Sequence, residues 1–474
     1  MAAAGALCAA QLASAGLALA GTASSWGIAH EVPGSANLNA GGHAGVDSVS
    51  CATPGNCAAT GHYTSASGHQ QAFIVSQSGG TWGAAQEIPG TAALDAGGHA
   101  DAVSVSCTAT ASCSAGGYYT DSAGHPQAFV VSETSGTWGT AQEVPGTAAL
   151  NAGGSAAIAS VACSAPGTCG AGGYYTDSSG HRQAFVVTEK QGTWGSAEEV
   201  PGTAALNAGG SAAIASVSCA APGSCGAGGN YASSSSDGIA TQQAFVVNES
   251  KGTWGTAQEV PGTAALNAGG SAGITAVSCI AVGTCAAGGD YTTKKPATEA
   301  LVVDETNGVW RTAKEVPGTG ALNKRGLAQV NALSCVKALA CSAGGFYQNA
   351  SFEGEAFVVG ASGGTWHTAS EVPGTAVLNA GGLAAIASVS CVAAGNCSAG
   401  GSYTDSSGFA QAFVVSESKG AWKAAEEVPG TGALNVGASA GTTSVSCASV
   451  TVCSAGGSYT ATKSAGQAFV VGKA

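Results

Sequence analysis

What this sequence has least of is charge. Of its 474 residues only 9% are Asp, Glu, Lys or Arg, where soluble proteins average about 25%. Lysine and arginine number 14 against 27 acidic residues, a net charge of −13. So few cations offer no track for a polyphosphate and no pull toward an anionic bilayer, which excludes nucleic acid and membrane surfaces as partners. Aromatic residues are also scarce, at 6%, and methionine occurs once. No window carries the 3.6-residue apolar period of an amphipathic helix, so helical architectures are excluded. Long apolar runs are missing too, apart from residues 2–20, an Ala/Leu-rich stretch ending in Ala18-Leu19-Ala20. That stretch resembles a secretory signal peptide without its basic leader. Residues 1–20 are expected to be removed, leaving no membrane span and one domain over residues 21–474. Low charge does not make the chain disordered, since disorder needs low hydrophobicity and the mean hydropathy is +0.21.

Glycine and cysteine are abundant, with 75 and 17 residues. Without Cys8, sixteen cysteines remain, and they fall in pairs with five residues between partners: Cys51/Cys57, Cys107/Cys113, Cys163/Cys169, Cys219/Cys225, Cys279/Cys285, Cys335/Cys341, Cys391/Cys397 and Cys447/Cys453. Eight local pairs with no remainder read as disulfides made in an oxidising, extracellular or cell-surface compartment. Each is expected to clip the hairpin between the first two strands of a unit. Metal binding would need four ligands per site, and the histidines do not follow the pairs.

The pairs repeat every 56 residues, except for one step of 60 where four residues are inserted between Tyr231 and Phe245. Tryptophans keep the same register, from Trp26 to Trp422. Within one unit the composition predicts four strands: Ala156–Cys163, Cys169–Thr176, Gln183–Glu189 and Thr193–Val200, separated by Pro/Gly-rich or polar turns. Four short antiparallel strands repeated eight times specify an all-β, eight-bladed β-propeller. The chain enters with a fourth-strand segment (residues 26–34) and leaves with three strands lacking a fourth. Pairing first with last completes the eighth blade and removes both sheet edges.

The sequence Gly172-Gly173-Tyr174-Tyr175, then Phe185-Val186-Val187, then Gly192-Thr193-Trp194 and Pro201, resembles a kelch repeat. That pattern has a Gly-Gly doublet ending the second strand, an apolar third strand and a Trp opening the fourth. The resemblance covers almost all of residues 26–471 and implies a propeller rather than an activity. The cysteine pair is an addition to that pattern. The aspartate box of sialidases is absent. In eight-bladed quinoproteins a Gly stands three before the Trp, whereas here it stands two before, as in Gly136 and Trp138.

Strand parity places the clipped turns on one face, and the long blade-to-blade links with the second-to-third-strand turns on the other. Long links are often functional, so the second face is the expected binding face, together with the channel mouth. Its recurring polar residues are Asn39, Asp95, Asn151, Asn207, Asn267, Asn323, Asn379 and Asn435 in the links, and His69, His125 and His181 in the turns. Asn before Ala-Gly-Gly also caps turns through its own backbone bonds, so these amides are read either as loop structure or as a ring for a polar ligand. The histidines offer at most an adventitious metal site. A glutamate recurring before Val/Ile-Pro reads as a charged outer strand resisting edge pairing. No catalytic residue, metal site or cofactor is read from the sequence. The expectation is a secreted, monomeric, non-catalytic propeller binding glycans or surface proteins. A single-site enzyme at the channel mouth (lyase, glycosidase or quinoprotein type) and a structural envelope protein are the alternatives.

Overall fold

The computed structural model describes residues 25–234, 240–462 and 465–474. The segment read as a signal peptide and part of the insertion in the fourth blade lie outside these. Eight antiparallel sheets follow one another along the chain. In the third blade the strands are Ala156–Ala165, Thr168–Thr176 and Arg182–Lys190, followed by two short outer pieces, Thr193–Trp194 and Glu198–Glu199. The outer strand predicted as continuous over Thr193–Val200 is therefore interrupted. The cause is a contact with the preceding blade: Gly195 still bonds its own third strand, but the Ala197 N–H turns away to the Pro145 carbonyl, at 2.6 Å. The same Ala-to-Pro bond recurs around the ring, ending with Ala29 N–H on the Pro429 carbonyl at 2.7 Å.

The ring closes as the partial units require. His30 and Glu31 pair with Val470 and Phe469, and Trp26 bridges Lys473. The eighth sheet is thus built from both ends of the chain.

Each link contains one turn of helix, such as Thr203–Leu206, which the sequence reading left irregular. It starts from Gly202 at φ 88°, a left-handed conformation that costs glycine almost nothing.

The Gly-Gly doublet has a steric cause. Every innermost strand carries a bulge, in the third blade between Ile158 and Ser160, and the bulge presses a carbonyl against the second strand. A Cβ at Gly173 would lie 1.9 Å from the Ala157 oxygen, so only glycine fits. The apolar core lies between blades rather than within them. Ala128 and Val130 of the second blade pack against Ile158, Val161, Phe185 and Trp194 of the third. Phe185 is fully buried, which contributes about 1.5–3 kcal/mol per such ring.

Candidate functional site

All eight cysteine pairs are disulfides between the first two strands of each blade: Cys51–Cys57, Cys107–Cys113, Cys163–Cys169, Cys219–Cys225, Cys279–Cys285, Cys335–Cys341, Cys391–Cys397 and Cys447–Cys453. They mark one face of the ring, and the helical links mark the other. Each clips the hairpin of its own blade as expected, and also contributes to the contact between blades. The first-strand partner is half-buried, but the second-strand partner is buried in every blade. Cys57, Cys113, Cys169, Cys225, Cys285, Cys341, Cys397 and Cys453 are only 2–6% exposed. The reason is that this side of the second strand packs on the preceding blade. Cys57 Sγ lies 3.5 Å from Ser454 Oγ, Cys397 Sγ 3.3 Å from Ser342 Oγ and Cys453 Sγ 3.5 Å from Ser398 Oγ. Cys113 shares its core with Ala58, the residue of the first blade at the place of those serines. These four cysteines, like their equivalents, are therefore parts of the interface between blades and not accessible site residues.

On the link face the eight recurring Asn/Asp residues are only 4–7% exposed. Their polar atoms are used inside the fold. Asn151 Oδ1 accepts the N–H of Ser155 at 2.8 Å and of Thr176 at 3.2 Å, while its Nδ2 donates to Gln127 Oε1 at 2.8 Å. Asp95 does the same work with a carboxylate, because Gln71 Nε2 donates to it at 2.9 Å. Asn39, Asn207, Asn267, Asn323, Asn379 and Asn435 tie their links to the neighbouring third strand alike. They fasten the links from within the fold; of the Asn oxygens only that of Asn267 is buried without a partner. His69, His125 and His181 are exposed, but each lies over the link glycine of the next blade (Gly98, Gly154 and Gly210) and none joins another.

The recurring glutamates are not merely outer-strand charges. In every blade one accepts a hydrogen bond from the buried Tyr of the second strand, as in Tyr175 to Glu199 at 2.9 Å and Tyr459 to Glu31 at 3.1 Å. Burial first, then the adjacent Glu, pushes these tyrosines well above the ordinary phenol range.

Recesses open chiefly on the opposite, disulfide-bearing face, between neighbouring blades. Four of them measure about 430, 410, 250 and 380 Å³. Their floors follow one plan. The third-strand residue paired with Trp reaches back to the preceding blade; it is Glu133, Glu189, Glu249, Glu305 or Glu417 in five blades. Glu189 takes hydroxyl bonds from Ser132 at 2.7 Å and Ser114 at 2.9 Å. Glu417 takes one from Ser342 at 3.2 Å, and Glu249 one from Thr188 at 3.1 Å. Trp194 Nε1 donates to the same Ser132 at 3.0 Å. In the sixth blade the position is Ala361, and Asp304 of the fifth supplies the carboxylate that receives Trp366. Gln77 and Lys473 occupy it in the two remaining blades. Burial pushes Glu133, Glu249, Glu305 and Glu417 above the usual carboxylate range. One oxygen of Glu249 and one of Glu305 is buried without a partner. Glu189 and Glu305 are fully buried and Glu133, Glu249 and Glu417 nearly so, and they form a polar layer beneath the recesses. The third-strand acids recur at the repeat period and could have been found from it.

A second, solitary group sits where the first two blades meet the channel. His62 Nδ1 lies 2.9 Å from Asp47 Oδ2 and 3.5 Å from Asp101 Oδ2. Burial alone would lower the imidazole pKa, but the bond to Asp47 and the two carboxylate charges raise it. Asp101 is pushed up to about 8 by burial and by Asp47, with His62 opposing. Sequence reasoning missed this group because His62 stands outside the repeated His positions.

No protein-family profile matches the chain, and no curated protein does. Solved structures similar to it include a protein of unknown function from Dyadobacter fermentans (11% identity, TM-score 0.39, covering 67% of this chain and 94% of that one). A Hadza microbial sialidase gives 10%, 0.36, 84% and 68%. The fucose-specific lectin of Aleuria aurantia gives 14%, 0.32, 68% and 93%. Likenesses of this order assign no ligand. Among the described residues no helix is long and apolar enough to cross a membrane.

Proposed function

We propose that this chain is a secreted, kelch-like binding propeller that takes carbohydrate, without catalysis, in the recesses between blades. The supporting observation is the repetition of one polar floor, hydroxyls around a buried carboxylate, beneath cavities of 250–430 Å³. A saccharide matches the recess walls chemically: its hydroxyls bond exposed hydroxyls such as Thr134, Ser135, Ser250 and Thr253, which stand above the buried carboxylates. Equivalent sites spaced around a rigid ring act together on a branched or surface-bound glycan, so weak single contacts become strong through avidity.

The reading is tested with glycan arrays and calorimetry on the purified chain. Binding is expected with several sites per molecule. Thr110→Trp and Val282→Trp, at exposed rim positions, should each lower the number of sites without changing the melting temperature. Silence toward all glycans at millimolar concentration, or a site number untouched by both rim substitutions, overturns it.

A further inference from the structure

The trio at the channel mouth is made by the bulges. Asp47 is the bulged residue of its strand, between Val46 and Ser48, and bulges re-aim side chains. At the same place in other blades Thr275, Asn331 and Thr443 donate to a main-chain carbonyl of the next blade, Val330, Ile386 and Val46 respectively. Asp47 makes no such bond to the next blade; its side chain meets His62 instead. The position of His62 holds Tyr118, Tyr174, Asn230, Asp290, Phe346, Ser402 or Ser458 elsewhere, and that of Asp101 holds glycine, alanine or Gln329. The combination therefore occurs once in the ring.

Two carboxyl groups converge here on a single imidazole. Asp101 is only 9% exposed, and its Oδ1, on the carboxylate that faces His62, has no hydrogen-bond partner. The donor atoms of all three residues lie within 4.8 Å of one another. Two ligands on a tetrahedral ion with bonds of about 2.0–2.1 Å stand roughly 3.4 Å apart. The separations of 2.9 and 3.5 Å from the imidazole nitrogen bracket that value. One side of the group opens on a recess of about 250 Å³ shared with the eighth blade, where Ser439, Thr443 and Ser458 supply hydroxyls.

We propose that Asp47, His62 and Asp101 form a site for a divalent transition metal of the zinc type. One imidazole nitrogen and two carboxylate oxygens suit a borderline ion. Two carboxylates and a neutral imidazole cancel its charge, and the fourth coordination position faces the recess, for water or a ligand hydroxyl. This site is on the other face from the interblade recesses and stands or falls independently of them.

The experiment is calorimetric titration of the chelator-treated, full-length chain with Zn²⁺, and with Co²⁺ followed by visible absorption. One ion per chain is expected. His62→Ala and Asp101→Asn should each weaken it at least tenfold, while His125→Ala, at an exposed and solitary histidine, leaves it unchanged. In the unsubstituted chain, Zn²⁺ should shift the imidazole NMR signals of one histidine only, a readout that does not depend on the variants folding. No saturable binding below about 1 mM, binding indifferent to His62→Ala, or shifts spread over the exposed histidines would each overturn the proposal.

Discussion

Single side chains do much of the work that long strands do in other sheets. The innermost strand of each blade is an edge, with N–H groups facing the channel, and exposed edges are a hazard. Here serines of the preceding blade cap them: Ser50 Oγ accepts from Cys107 N–H, and Ser106 Oγ from Cys163 N–H, both at 2.9 Å. The hydroxyl is missing where Ala162 takes that place. Ser50→Ala should cost about 1 kcal/mol in urea unfolding and Ala162→Ser should add about as much, a typical net hydrogen bond. Equal stability of both variants and the parent would show that the ladder is ornamental. The bond from each link Asn to the third strand and the pairing of Tyr with Glu were hidden from the sequence for one reason. One is a contact onto the third strand and the other a contact across it, 24 residues apart in most blades, and periodicity reports which positions recur, not which recurring positions meet.

At the scale of the blade, the strand plan, the hairpin disulfides and the Gly-Gly doublet were legible, because each is fixed by local residue type at constant spacing. The interrupted outer strand, the helical turn in the link and the burial of the second-strand cysteines were not. All depend on the neighbouring blade, which supplies the Pro145 carbonyl to Ala197, the anchorage for Asn151 and the serine against Cys57. The links are long and polar in sequence, yet within the fold the strands on either side take up their Asn side chains, and four recesses between blades lie on the clipped face. The clips hold short loops, so each restricts the unfolded chain modestly. Replacing Cys163 and Cys169 together by serine should lower stability by about 2 kcal/mol, read by denaturant unfolding under oxidising conditions. A loss near zero would mean the turn is fully specified by its hydrogen bonds.

Across the whole ring the buried acids set the pH dependence. Burial raises Glu133, Glu249, Glu305 and Glu417, and lifts Asp290 to about 6. The folded chain holds these protons more tightly than the unfolded one, whose carboxylates titrate near 4. Their contribution is complete below that value and is lost as pH rises through the folded values. Asp121 and Asp177 run the opposite way: bonds from Gln127 and Gln183 lower them, so their contribution disappears only in stronger acid. The melting temperature of the metal-free chain should therefore be higher near pH 5 than near pH 8. Calorimetry showing a steady rise over that interval would contradict the assignment.

The eighth sheet takes one strand from the beginning of the chain and three from its end. A polypeptide made from its N-terminus cannot shut this ring until its last strand has emerged. Until then the opening strand waits without a partner while seven sectors are already capable of stacking. Assembly thus has a built-in final event, and a chain truncated before Phe469 is left with an open seam rather than a smaller wheel.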